Sequence, residues 1–180
     1  DGDSRLATRG DPVYGEPTKG AWRLWDAGRS KVGAMFEKGL DPGLAGDDAV
    51  LYLGAANGTT VSHIADFAGP TYAVEFAPRP MRDLVGVAED RSNLFPLLKD
   101  ARRPESYAHV VESDLDAVVQ DVATRGQARV ARLNCRFLAP NGRLIAVIKA
   151  RSEDVTAQPT AVFEEVLEEL AEPYEILATE

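Results

Sequence analysis

The stretch that most constrains this chain is Val50-Leu-Tyr-Leu-Gly-Ala-Ala-Asn-Gly-Thr-Thr60. Val50 to Leu53 is a continuous apolar run, the pattern of a parallel strand buried on both faces. Gly54 ends it and Gly58 follows. From Thr59 onward, Val61, Ile64, Ala65 and Ala68 recur at helical spacing. Strand, glycine-rich turn and helix start together make the layout of a nucleotide-type cofactor site. Glycines let a ligand approach the backbone, and a helix start offers unpaired N–H groups. The spacing is not Gly-x-Gly-x-x-Gly, so the nicotinamide fingerprint is absent. A turn of this kind can also do no more than pack a helix on a sheet.

A series of carboxylates narrows the choice. Thr71 to Phe76 is a second apolar strand with Glu75 near its end. Asn93 to Asp100 reads as a third, and Asp116 to Asp121 as a fourth. In an open α/β sheet ligands lie at the carboxyl ends of the strands. An acid about twenty residues past the glycines suits a ribose diol. Asp100 could accept from an adenine amino group, and Asp121 falls where the reactive end of a ligand would sit. Singly, each acid could equally be a solvated strand end or a helix cap.

Elsewhere the periodicity predicts helices over Asp26–Leu40 (capped by Ser30), Met81–Asp90, Gln127–Leu138 and Thr160–Leu170. Further strands are predicted over Arg143–Lys149 and from Tyr174 to Ala178, and a β-rich segment at Val13–Trp25. Residues 1–12, polar with Gly2, Gly10 and Pro12, are expected to fray. Lys149 closes an otherwise apolar strand, where it would snorkel to solvent or face Asp121 across the neighbouring strand. Arg29 and Lys31 stand at a helix start, where the dipole gives no reason for cations. Arg102 and Arg103 border the predicted cleft as phosphate contacts or as a plain surface pair.

At 180 residues the chain has room for a single domain with a sizeable core. No apolar run approaches the roughly 18 residues of a membrane span, and no signal peptide opens the sequence, so a cytoplasmic location and no membrane are expected. One cysteine, Cys135, excludes an internal disulfide and a cysteine metal cluster; two histidines, His63 and His109, do not suggest a metal site. Twenty basic against twenty-nine acidic residues give a net charge of −9. A protein that gripped nucleic acid with its own surface would normally be basic. Either this one does not hold nucleic acid unaided, or its surface is adapted to high salt. The lysine-poor composition favours a halophilic source, because a charged surface preserves solubility under extreme screening.

Leu53-Gly-Ala-Ala-Asn-Gly-Thr-Thr-Val-Ser-His63, Tyr72-Ala-Val-Glu-Phe76, Lys99-Asp-Ala-Arg102, Asp121-Val-Ala123 and Ile148-Lys-Ala-Arg-Ser152 resemble the fibrillarin family. Upstream, Val13-Tyr-Gly-Glu16, Trp25 and Arg29-Ser-Lys31 fit as well, so the resemblance runs from about Val13 to the end. Thr124 departs from it, standing where the family has glutamine. The resemblance implies a Rossmann-like class I methyltransferase with a mostly parallel seven-stranded sheet. The last strand, which carries an active-site histidine in the family, is missing from this sequence. It also implies residues 1–40 as an N-terminal extension with a leading helix, and 41–180 as the methyltransferase domain.

The implied activity is guide-RNA-directed 2′-O-methylation of ribose in pre-rRNA and tRNA, as catalytic subunit of a box C/D ribonucleoprotein. The cofactor would be S-adenosylmethionine, held by Gly54, Ala55, Thr59, Thr60, Glu75, Phe76, Asp100, Ala101 and Asp121. Lys31, Asp121 and Lys149 would be catalytic, and Arg29, Arg102, Arg103 and Arg151 would contact RNA. No metal is expected. Implied partners are a Nop-domain scaffold protein, a kink-turn-binding ribosomal-type protein, the guide RNA and substrate rRNA or tRNA. Two rival readings stand beside this one. They are a methyltransferase of a small molecule or of a protein side chain such as glutamine, and a non-catalytic assembly subunit.

Overall fold

The computed structural model describes residues 5–180. Its centre is a five-stranded sheet, parallel throughout: β4 (Val50–Leu53), β5 (Thr71–Glu75), β6 (Leu94–Leu98), β7 (Leu115–Gln120) and β8 (Leu138–Ala146), in the order β6-β5-β4-β7-β8. The apolar run of β4 is buried at all four residues because layers cover both faces of the sheet. Alternation sorts its side chains. Val50 and Tyr52 join Val61, Ile64 and Leu84 on one face. Leu51 and Leu53 join Tyr72, Val118, Tyr107 and Phe137 on the other. The helices are α1 (Lys31–Glu37), α2 (Thr59–Ala65), α3 (Pro78–Glu89), α4 (Gln127–Asn134), α5 (Ala150–Glu153) and α6 (Pro159–Leu170). Ser30 caps α1 as expected, its hydroxyl accepting from Gly33 N–H at 3.0 Å.

The N-terminal segment is more ordered than its composition suggests. Residues 1–4 lie outside the described residues, but β1 (Ala7–Arg9), β2 (Thr18–Lys19) and β3 (Trp22–Leu24) form an antiparallel sheet in the order β1-β3-β2. Long-range side-chain bonds hold it. Arg23 is fully buried between Glu16 at 3.3 Å and Asp66 at 2.8 Å, and Arg91 meets Asp66 at 3.3 Å. Thr8 donates to Asp66 at 2.6 Å. Buried pairs of this kind add little net stability, because the cost of desolvating the charges offsets their attraction. Trp25 and Val32 enter the same core as β4.

Several expectations change. Helix α4 ends at Asn134, and β8 begins at Leu138 instead of Arg143, because Pro140-Asn-Gly142 is absorbed as a register shift in the ladder rather than as a loop before it. β8 is mostly half-exposed and only Ile145 is buried, since it is the edge of the sheet among the described residues. Tyr174–Ala178, expected as a strand, is irregular, with Leu177 71% exposed. A strand needs a neighbour to take its N–H and C=O groups, and no strand among the described residues pairs with this segment. In α3 Met81, Leu84 and Val87 turn inward.

Candidate cofactor and active site

The strand order reverses between β4 and β7, so the crevice for a ligand opens over Gly54 and Asp121. Gly54 has φ +83, and a Cβ there would lie 2.7 Å from the Asp121 carbonyl oxygen. The glycine is therefore required by the neighbouring backbone, not only by a ligand. Gly58, φ +93, makes room for Leu84 and Val87 of α3. Ala55 is buried in the turn, and Ala56 takes φ +48.

Glu75, buried at the end of β5, explains how that turn keeps its shape. Its carboxylate accepts from Ala56 N–H at 2.9 Å and from Ala77 N–H at 2.8 Å. Each oxygen retains a lone pair for a further donor. Phe76 beside it is 69% exposed, an open aromatic face at the rim. Asp100 lies two residues past β6, and a hydrogen bond from Arg102 holds its carboxyl below the usual range. Arg102 Nη2 sits 2.7 Å from Asp100 Oδ2. Arg102 thus turns back on an acid of the site instead of standing free for phosphate, while Arg103 is exposed next to it. Ala101 packs in the core below. Thr59 meets Asn57 at 3.2 Å, and buried Thr60 donates to Ser30 at 3.0 Å, so the Thr60 hydroxyl is committed inward.

Asp121 directly follows β7, and Lys149 lies three residues past the end of β8, preceding α5. Their side chains meet: Lys149 Nζ is 2.7 Å from Asp121 Oδ1 and donates to the Asp121 carbonyl at 3.0 Å. Both are partly exposed, so the pair borders the crevice. Below it Tyr52 is buried. Burial pushes its phenol well above the ordinary value, and the charge of Asp121 adds to the rise. Lys31 heads α1 exposed, and among the described residues it has no ion-pair partner, so the structure joins two of the three expected catalytic residues and leaves the third apart. Arg29 and Arg151 are exposed.

Sequence reading passed over Tyr52 and Gln127. Gln127 is fully buried, and its side-chain amide bonds the backbone of Lys149 on both sides, N–H to Oε1 at 2.9 Å and Nε2 to C=O at 3.1 Å. The available signal was its place on the buried stripe of α4, with Val130, Ala131 and Asn134.

An open parallel sheet, a glycine turn at its switch point, acids after three successive strands and a lysine over the last acid define a nucleotide-cofactor-binding α/β enzyme of the methyltransferase type. The fibrillarin model matches residues 2–178, and the chain belongs to the fibrillarin family. It is 71% identical over 179 residues to a fibrillarin-like rRNA/tRNA 2′-O-methyltransferase of Halorubrum lacusprofundi, spanning 99% of this chain and 84% of that protein. A crystal structure of a fibrillarin/Nop5p complex is similar with TM-score 0.87 and 40% identity, covering 93% of this chain and 82% of that one. Aeropyrum pernix fibrillarin in complex with natively bound S-adenosyl-L-methionine gives TM-score 0.81 and 44% identity, covering 93% of this chain and 78% of that one. The family resemblance carried by the motifs is thus borne out.

Proposed function

We propose that the chain is the S-adenosylmethionine-dependent subunit that methylates ribose 2′-hydroxyls of rRNA and tRNA, working in the cytoplasm within a box C/D ribonucleoprotein. Membership of the fibrillarin family and the names of its relatives support the activity. The likeness to a fibrillarin bound to Nop5p supports a Nop-domain scaffold as partner. The net charge of −9 supports leaving the grip on RNA largely to the guide RNA, the scaffold and the kink-turn-binding protein. No described helix is long and apolar enough to cross a membrane. Residues 1–40 serve as an extension on a catalytic unit of 41–180, fastened by Trp25 and by the Arg23 ion pairs.

The donor set fits the cofactor. Glu75 keeps acceptor capacity for a ribose diol, Phe76 offers an open ring to a base, and Asp100 is an acceptor one strand further. Asp121 places negative charge where a cationic sulfonium would be favoured. Bound there, S-adenosylmethionine supplies an electrophilic methyl group that passes to the ribose oxygen as its C–S bond breaks and the oxygen loses a proton.

The observation that carries the reading is the Lys149–Asp121 pair over the switch point. An ammonium has three N–H donors. Asp121 takes one of them through its carbonyl, and its carboxylate, 2.7 Å away, is the charge partner. A remaining N–H is left to hold the attacking hydroxyl. In this arrangement Lys149 orients the nucleophile, and most of the rate comes from placing it in line. Lys31 and the exposed Arg29, Arg103 and Arg151 are contacts for the RNA backbone, with Arg102 bound to Asp100 and tuning that acid. Lys149→Ala should leave cofactor binding nearly intact and slow methylation of guided RNA about 10²-fold or more. An unchanged rate in the reconstituted complex removes Lys149 from the reaction.

A further inference from the structure

We infer that Gln127 is the positioning residue that aims Lys149, a role that rests on the assignment of Lys149 to the reacting hydroxyl. The β7–β8 ladder closes with Val147 N–H donating to the Gln120 carbonyl at 2.8 Å. Beyond that point the backbone of Lys149 has no strand partner. The Gln127 side chain takes the partner's place, accepting from Lys149 N–H at 2.9 Å and donating to its carbonyl at 3.1 Å. This is the two-bond exchange that one strand residue makes with another, made here by a side chain.

The clamp is itself fixed. Gln120 Nε2 donates to the Gln127 carbonyl at 2.9 Å, and both glutamines are fully buried. Glu153 of α5 accepts from Gly126 N–H at 2.7 Å and Gln127 N–H at 2.5 Å, standing in for the side-chain cap that α4 lacks. Lys149, α5 and the start of α4 therefore form one closed hydrogen-bonded unit. A lysine side chain is flexible, so where its ammonium sits depends on where its backbone is held and on its partner at the far end. Gln127 fixes the first and Asp121 the second.

Glutamine alone among side chains of this length presents a donor and an acceptor side by side. Gln127→Glu keeps the acceptor for Lys149 N–H but sets a second acceptor against the Lys149 carbonyl. Gln127→Leu keeps the volume and removes both bonds.

The test uses the complete chain assembled with guide RNA and its protein partners. Single-turnover methylation is measured for Gln127→Glu, Gln127→Leu, Lys149→Ala and the double variants. Cofactor affinity is measured by calorimetry, and exchange of the Lys149 amide by NMR. The expected result is a rate about 10²-fold lower for both Gln127 variants, the scale for a reactant displaced by about 1 Å, with cofactor affinity within about twofold. The Lys149 amide should exchange at least about tenfold faster in Gln127→Leu, because its acceptor is gone. In the Lys149→Ala background either Gln127 change should cost nothing further, since the residue acts only through Lys149. Losses that multiply, or a wild-type rate in Gln127→Glu while Lys149→Ala is inactive, overturn the inference. If Lys149→Ala itself is fully active, it is the assignment of Lys149 that fails.

Discussion

Acid should unfold this protein partly through one histidine. His63 is buried, its ring stacked on Trp25 with centroids 4.9 Å apart and planes 6° from parallel. Thr8 Oγ1 lies 2.7 Å from its Nδ1 and gives its own proton to Asp66, so the ring donates to Thr8 and is the neutral Nδ1–H tautomer. The cations Arg23 and Arg91 already balance Asp66 and Glu16 around it. A further positive charge would have no counterion. Burial, reinforced by Arg23, pushes the His63 pKa from 6.5 down to about 3. The folded pKa is depressed, so the fold prefers the neutral ring. That stability is complete above about 6.5 and is lost as pH falls toward about 3. At pH 5 the unfolded histidine is about 1.5 units below its own pKa and mostly protonated, which at about 1.36 kcal/mol per unit is about 2 kcal/mol. Many carboxylates titrate over the same range, so the measurement is a comparison. Urea unfolding of the wild type and of His63→Gln, at pH 8 and pH 5 in concentrated potassium chloride, should show the wild type losing about 2 kcal/mol more. Equal losses in the two proteins would refute the reasoning, because the histidine would then carry no proton-linked stability.

Glu75→Ala should do two things at once. It leaves the Ala56 and Ala77 N–H groups without their acceptor, at about 2 kcal/mol in all by urea unfolding, and it weakens S-adenosylmethionine roughly ten- to a hundredfold by calorimetry. Gly54→Ala forces a Cβ to 2.7 Å from the Asp121 carbonyl at φ +83 and should lower stability by more than about 2 kcal/mol. It should also slow methylation by moving Asp121 away from Lys149, and an active, stable variant would contradict that. With a net charge of −9 and lysine-poor basic residues, the melting temperature should climb from dilute to molar potassium chloride. A flat or falling curve removes the halophilic reading of the surface.

Much of the site was legible in the chain because it is written in local pattern. A short continuous apolar run reads as a buried parallel strand, a glycine pair after it reads as a turn, and an acid at the end of such a strand falls at the edge where ligands bind. That pattern marked Gly54, Glu75, Asp100, Asp121 and Lys149 as candidates, and the family motifs gave them their expected roles. Other decisions join residues far apart in the chain, and no spacing encodes them. Gly54 is glycine because Asp121, on another strand, crowds its α-carbon. Thr60 faces inward because Ser30 accepts its proton. The polar segment around Thr8 is ordered because Arg23 and Thr8 find Asp66 just past α2. Gln127 reads as one more position on an amphipathic helix until the sheet brings the backbone of Lys149 against it. Periodicity tells which face of an element is buried. Only the assembled sheet tells what that face meets, because a hydrogen bond depends on the positions of two groups, and the chain order fixes only one at a time.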